Sequence, residues 1–124
     1  MCLDKLQEFP VKRKYGWKIF STKEGLRSPF FRRTRYRINK WFDSRECSRG
    51  REVLVDFNHT YRVGFHIYVR RGDARTKPAW ELWPRTYCLK KVEFKEVLAT
   101  GVEDGGKVIV ARWMKIMPSR RRVE

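Results

Sequence analysis

The sequence predicts a single α+β domain that is mostly antiparallel β-sheet, with one or two short helices and a C-terminal β-hairpin. Three observations lead to this class. The length of 124 residues suits one domain. Hydrophobic residues make up 41% of the chain and aromatic residues 15%, a composition that supports a packed core and is unlike that of a disordered basic tail. Large apolar residues also alternate with polar ones over several segments, and this period of two is typical of strands.

The first strand is predicted after a polar, basic start. Residues 1–14 are expected to form a loosely held basic leader. Within residues 15–20, large apolar side chains recur at every second position, at Tyr15, Trp17 and Ile19. That alternation predicts a strand at the start of the domain.

The middle of the chain is less regular. Residues 43–52 are charged and are expected to form a loop. The β-branched residues 53–57 predict a short strand, with a short helix as the alternative, and residues 65–69 predict the next strand. The only helix candidates lie in residues 72–86, where Pro78 interrupts the helix.

The clearest prediction is the C-terminal hairpin. Residues 87–98 form a long strand-like run, and a change of phase between Leu89–Lys91 and Val92–Phe94 suggests a bulge. A Gly-rich turn at 101–106 leads into a second strand at 107–114. The domain is therefore expected to span residues 15–117, followed by a basic tail at 118–124.

The net charge of +16 indicates the kind of partner. The chain has 30 Lys or Arg residues against 14 Asp or Glu, and Arg outnumbers Lys by 18 to 12. Such an excess is typical of proteins that bind polyanions, and the planar Arg guanidinium suits phosphate. We expect the partner to be nucleic acid, contacted through its backbone, or a nucleoprotein complex. An acidic protein surface is an alternative partner.

One segment concentrates the charge. Residues 26–42, called the Arg strip below, contain six cations and no acid: Arg27, Arg32, Arg33, Arg35, Arg37 and Lys40. On a strand, Arg33, Arg35 and Arg37 would share one face at intervals of about 6.6–7 Å, a row able to follow a phosphate backbone. The aromatic residues between them, which include Tyr36 and Trp41, are expected to be core.

Three further basic clusters extend the predicted surface. They are residues 12–14, residues 120–122 and a cluster formed by Arg70, Arg71, Arg75 and Lys77. The separate clusters favour a groove or a broad phosphate footprint over a single recognition helix. No helix-turn-helix, zinc finger or RNA-recognition motif is present, so the choice between RNA and DNA stays open.

The sequence predicts no catalysis, metal or cofactor. Cys2, Cys47 and Cys88 are widely separated, and there is no P-loop, dinucleotide fingerprint or His-Glu-x-x-His pattern. His59 and His66 are expected to be structural, hydrogen-bonded histidines. The alternatives left open are a chemical role for His66 and an N-terminal nucleophile at Cys2.

The sequence carries neither an apolar run of the roughly 20 residues that span a bilayer nor the apolar core of a signal peptide. A cytoplasmic location is expected, in the cytoplasm of a host if a phage encodes the protein.

Five short motifs together carry a resemblance. They are Tyr15-Gly16-Trp17-Lys18, Ser28-Pro29-Phe30, Asn39-Lys40-Trp41, Gly64-Phe65-His66 and Lys107-Val108-Ile109-Val110-Ala111-Arg112. In this order they resemble small domains encoded by phages and other mobile elements. The resemblance implies a mobile-element origin. Small proteins of that origin often inhibit host defence complexes, as anti-CRISPR proteins do.

A second likeness is to the fold of ADP-ribosyltransferases. A Gly-aromatic strand at residues 64–68, Asp73-Ala74 and Val92-Glu93-Phe94 follow one another as in those enzymes. The upstream His-Gly motif and the catalytic Glu of that family are missing. This likeness implies, as the alternative function, an ADP-ribosyltransferase-like enzyme or a degenerate relative.

Overall fold

A computed structural model describes residues 3–21, 26–27, 35–48, 52–56, 59–75 and 87–118 of the chain. The elements are, in chain order, β1 (Lys5–Leu6), β2 (Tyr15–Ser21), β3 (Leu26–Arg27), β4 (Arg35–Tyr36), β5 (Trp41–Asp43), α1 (Ser44–Ser48), β6 (Glu52–Asp56), β7 (His59–Arg62), β8 (Phe65–Tyr68), α2 (Arg71–Arg75), β9 (Tyr87–Glu103) and β10 (Gly106–Ile116). Over these ranges the protein is mainly antiparallel β-sheet with two five-residue helices. The predicted sheet is confirmed, whereas the helical share of the α+β class stays a prediction.

β9 and β10 form the central hairpin of the main sheet, and most of the other strands of that sheet pair with it. The two strands pair from Glu103 opposite Gly106 to Val92 opposite Ile116. Asp104 and Gly105 connect them with φ angles of 52° and 80°. Two consecutive left-handed residues, the second a glycine, match the tight turn whose twist suits a β-hairpin. The predicted hairpin is therefore confirmed, with a turn shorter than the one expected at 101–106.

A bulge bends β9 within the hairpin. Val110 lies opposite Ala99 and Ala111 lies opposite Val97, so Leu98 is an extra residue on β9. The bend lets the two halves of β9 pair with different neighbours, β2 before the bulge and β1 after it. The sequence suggested a bulge near Lys91, and the register shift lies several residues later.

Four strands, β2, β9, β10 and β8, pair in a closed circuit. β2 pairs along its whole length with β9 and meets β8 at the single pair Trp17 and Tyr68. β8 pairs with β10, and β10 pairs with β9, which completes the circuit. Gly16 permits this closure, because a Cβ there would clash with Ile67 Cγ2 and lie 2.9 Å from the Tyr68 carbonyl oxygen.

Four short strands, β1, β3, β4 and β5, extend the main sheet, and two others form a sheet of their own. β5 pairs with the end of β10, and β3 and β4 continue beyond β2, while β6 and β7 form a separate two-stranded sheet. β1 pairs with β9, and Leu3 is only 3% exposed. Part of the expected leader is thus packed against the domain.

Buried side chains form two clusters. The larger one contains Phe20, Tyr36, Phe65, Ile67, Val92, Phe94, Ile109, Ala111, Met114 and Ile116. The smaller one contains Leu3, Ile19, Tyr61, Tyr68, Ala74, Val108 and Val110, and α2 contributes Ala74 to it. Ile19 and Phe20 belong to different clusters, so both faces of β2 are packed at this end of the strand.

The middle of the chain departs from the prediction in one place. The charged loop expected at 43–52 is wrong, because residues 44–48 form α1 and β6 begins at Glu52. The Arg45 backbone N–H donates to Asp43 Oδ1 at 3.0 Å, which caps the helix. The short strand predicted at 53–57 is confirmed by β6, and α2 lies at the start of the range 72–86 that held the helix candidates. Neither helix in the described ranges is long and apolar enough to cross a membrane.

Candidate nucleic-acid interface

A basic groove lies where the leader joins β2. Its cavity volume is about 430 Å³, and its lining consists of Lys12, Arg13, Lys14, Tyr15, Trp17, Val69 and Lys91. Four of these seven residues are cations and none is acidic. Two others are half-buried aromatics, so the groove combines positive charge with flat apolar surface.

Local sequence explains why these side chains meet. Tyr15 and Trp17 are the alternating aromatics of β2, and Lys91 lies directly opposite Trp17 on β9. The backbone before β2 is held in place because the Phe94 N–H donates to the Lys14 carbonyl oxygen at 2.9 Å. The cations of residues 12–14 are therefore fixed beside the aromatics.

The groove brings together two clusters that are far apart in the sequence. Val69 lines it, and the Arg71 guanidinium lies 5.4 Å from the centre of the Trp17 ring. Two of the predicted binding residues, Arg70 and Arg71, are exposed beside it. A third, Arg75, ends α2, and its side chain lies outside the described part of the structure. The cluster at 12–14 and the cluster at 70–71 thus form one surface around Trp17.

Cations lie over the aromatic rings of the groove. The Lys91 ammonium is 4.8 Å from the centre of the Tyr15 ring, and the Lys14 ammonium is 5.3 Å from the same ring. Contacts of this kind at exposed sites contribute about 0.5–1 kcal/mol. They hold the cations close together although their charges repel.

The Arg strip is only partly described. Arg35 and Arg37 are exposed on either side of the buried Tyr36, as the predicted alternation requires. Arg32 and Arg33 fall outside the described residues. The strip is not one long strand, because β4 has two residues and Asn39 adopts a left-handed φ of 68°. Lys40 follows that turn and is exposed, 5.7 Å from the Phe42 ring centre.

The pairing of β3 with β4 adds a second feature to the strip. It places Arg27 directly opposite Arg35.

A second aromatic and cationic cluster lies on β5, β9 and β10, and it includes Trp41, which was expected to be core. The Lys95 ammonium lies 4.3 Å from the Trp41 ring centre and 5.2 Å from that of Trp113. Lys115 lies 5.1 Å from the Trp41 ring. Both tryptophans are half-buried rather than core. The signal in the sequence was the alternation Trp113–Met114–Lys115, which alone does not reveal the partner strand.

The acids next to this second cluster are ion-paired. Arg112 binds Asp43 through two hydrogen bonds of 2.9 and 3.1 Å, and the hydrogen bond from Arg112 lowers the pKa of Asp43. Lys115 lies 3.4 Å from Glu93. Lys91 and Lys95 are exposed on the same stretch of β9.

A buried polar network holds His66 away from this surface. His66 Nδ1 lies 2.8 Å from Glu103 Oε1, and His66 Nε2 lies 3.4 Å from the Tyr61 hydroxyl. The Tyr68 hydroxyl donates to the second Glu103 oxygen at 3.3 Å. Burial and the adjacent Glu103 raise the pKa of Tyr68. The prediction of a hydrogen-bonded His66 is confirmed.

Two further contacts tie the network to the rest of the fold. The Leu3 N–H donates to the Tyr61 hydroxyl oxygen at 2.9 Å, which anchors the start of the described chain. Lys18, only 5% exposed, donates from its ammonium to the His66 carbonyl oxygen at 3.1 Å.

The residues considered for other chemistry are dispersed. Among the described residues, no three His, Cys, Asp or Glu side chains gather as metal ligands. Cys88 is a half-buried free thiol whose pKa is raised by burial. Cys2 and the side chains of Cys47 and His59 lie outside the described part of the structure.

Comparison of the chain with protein-family models, with curated proteins and with solved structures finds no match.

Proposed function

We propose that this protein binds nucleic acid through its phosphate backbone, without catalysis, and that the basic groove is the centre of the binding surface. The observation that carries the proposal is the lining of the groove, in which Lys12, Arg13, Lys14 and Lys91 meet with no acidic side chain among them. The exposed Arg70 and Arg71 extend it, and the Arg strip adds a second contact region.

The charge of the whole chain supports the same proposal. A net charge of +16 exceeds the magnitude of about 2–8 that serves solubility in a small domain. Each phosphate that is neutralised releases counterions, so binding should weaken steeply as salt rises. The partner is either free nucleic acid or the nucleic acid of a nucleoprotein complex. If the protein is a mobile-element inhibitor of a host defence complex, it would use this surface to block the site where that complex holds its RNA or DNA.

The test is a salt titration of binding to labelled DNA and RNA. The Lys14→Ala/Lys91→Ala variant should bind more weakly and should lower the slope of log affinity against log salt by about 1.4–1.8, because two phosphate contacts are lost. The matched control is Lys5→Ala/Arg62→Ala, which removes two exposed cations outside the groove. The control should keep the wild-type slope.

Two results would overturn the proposal. One is a flat dependence of affinity on salt. The other is an equal loss of affinity in the groove variant and the control, which would mean that the groove has no special part. An acidic-protein partner is distinguished by nuclease treatment of the purified protein, since only a nucleic-acid binder should lose a co-purifying absorbance at 260 nm.

A further inference from the structure

We propose that the ligand is single-stranded nucleic acid, and that Trp41 and Trp113 stack its bases on a sheet face continuous with the basic groove. This inference rests on the proposed function and adds the class of nucleic acid. It uses a cluster that the backbone-binding proposal leaves unexplained, because phosphate contact alone requires no aromatic rings.

The strand register places the tryptophans of the second cluster and the aromatic residues of the basic groove on one face of the sheet. Residues directly opposite each other in neighbouring strands point to the same side of a sheet. Trp41 on β5 lies opposite Lys115 on β10, which lies opposite Glu93 on β9, which lies opposite Tyr15 on β2. One row of side chains thus runs from the second cluster to the edge of the groove.

The neighbouring rows extend this face. Trp113 lies opposite Lys95, and Trp17 lies opposite Lys91. Three strand spacings separate β5 from β2, a width of about 14 Å. Four half-buried aromatic residues, with Lys91, Lys95 and Lys115 between them, therefore cover a platform wide enough for several nucleotides.

The lysines that lie over the rings can exchange places with an incoming base. The Lys95 ammonium lies close to both tryptophan rings, at 4.3 and 5.2 Å from their centres. An exposed cation–π contact is weaker than the stacking of a base on an indole ring. An incoming base would displace the ammonium from the ring, and the ammonium would then contact the adjacent phosphate.

Charge on this face matches a phosphodiester strand. The three acids near the tryptophans are ion-paired, Asp43 and Glu96 with Arg112 and Glu93 with Lys115, and Lys91 and Lys95 are exposed. A duplex would offer only its backbone, because its bases are already paired and stacked. A single strand offers both phosphates and free base faces, which is the combination that this platform can contact.

The decisive experiment uses the wild-type protein and three probes of twelve nucleotides: single-stranded oligothymidine, an abasic strand of the same length and charge, and a duplex of twelve base pairs. We expect oligothymidine to bind at least about tenfold more tightly than the abasic strand, because each stacked base contributes. We also expect oligothymidine, but not the abasic strand, to quench tryptophan fluorescence.

Substitutions test whether Trp41 and Trp113 cause the preference for oligothymidine. Trp41→Leu/Trp113→Leu keeps apolar side chains and should lose most of the preference for oligothymidine while changing duplex binding less than about twofold. Phe9→Leu is the matched control, since Phe9 is also a half-buried aromatic beneath a lysine, with Lys107 at 5.4 Å from its ring, but lies outside this face. Its preference should be unchanged.

The outcomes separate this inference from the proposed function. Equal affinity of the wild-type protein for oligothymidine and the abasic strand, with the groove variant still weakening both, would overturn base stacking and leave backbone binding intact. Failure of all three probes to bind at low salt would overturn the proposed function itself.

Discussion

At the scale of single residues, the main surprise is the burial of charged groups. Glu103 is 1% exposed and Lys18 is 5% exposed, although charged side chains are almost never fully buried unless they are paired. Alternation along β2 predicted Tyr15 and Trp17 correctly as one face. It gave no reason to bury Lys18 on the opposite face of β2. The group that accepts the Lys18 hydrogen bond is the carbonyl oxygen of His66, which lies 48 residues away on β8.

The Glu103 network yields a prediction about stability. Glu103→Gln replaces an acceptor-only carboxylate with an amide, which has only one oxygen left to accept from both His66 and Tyr68. We expect the free energy of unfolding to fall by about 1–3 kcal/mol, the cost of a buried polar group left without its partner. Urea titration followed by circular dichroism measures the change.

The neighbouring residue provides the control for this prediction. Asp104→Asn removes the same charge at an exposed position, where the backbone N–H of Asp104, and not its side chain, makes the bond to Asp4. We expect a change within about 0.5 kcal/mol. Similar losses in both variants would mean that charge, rather than the buried hydrogen bonds, accounts for the effect.

At the scale of elements, local signals predicted the strands that contain β-branched residues or a strong turn. The Asp104-Gly105 turn and the alternation of β2 are encoded within a few residues, so β2, β8 and the hairpin followed from the sequence. α1 did not, because residues 44–48 have no apolar periodicity and depend on the cap from Asp43. The pairing of β5 with β10 also could not be predicted, since register depends on contacts distant in sequence.

The contact of β2 with β8 leads to an element-scale prediction. Gly16→Ala should reduce the free energy of unfolding by about 1–3 kcal/mol, because the added methyl group meets Ile67 Cγ2 and the Tyr68 carbonyl oxygen in a closely packed crossing. Gly72→Ala is the matched substitution in α2, where the new Cβ would have no heavy atom within 4 Å.

The expected result for Gly72→Ala is opposite in sign. Alanine favours a helix over glycine by up to about 1 kcal/mol, so this variant should be neutral or slightly more stable. Thermal melts of both variants test the pair. Equal stability of Gly16→Ala and the wild-type protein would show that β2 and β8 are not held closely together.

At the scale of the whole molecule, the net charge predicted a polyanion partner. It did not predict which of the cations lie next to one another in the fold. The clusters at 12–14 and 70–71 looked separate in the sequence and lie together around Trp17 in the fold. The excess of positive charge also acts on folding itself, because like charges repel more strongly in the compact state than in the unfolded chain.

This repulsion predicts two opposite effects of salt. Between 0.05 and 0.5 M NaCl, screening should raise the melting temperature of the free protein, by about 3–5 °C for each kcal/mol of repulsion relieved. Over the same range, affinity for nucleic acid should fall. Scanning calorimetry measures the first effect, with a non-ionic osmolyte at equal osmolality as the control.

A melting temperature that falls with salt would contradict this prediction. It would mean that ion pairs such as Arg112 with Asp43 outweigh the repulsion between the excess cations.

The closed strand circuit has a consequence for how the protein forms in a cell. The partners of β2 on β9 lie 66 residues away at one end of the strand and 78 residues away at the other. Contacts so distant in sequence are slow to form, since a long loop must close before they stabilise anything. During synthesis, β2 must therefore wait until β9 has left the ribosome. In that interval the aromatic and lysine side chains of β2 stay exposed to solvent, and they are covered only when β9 and β8 pair with the strand.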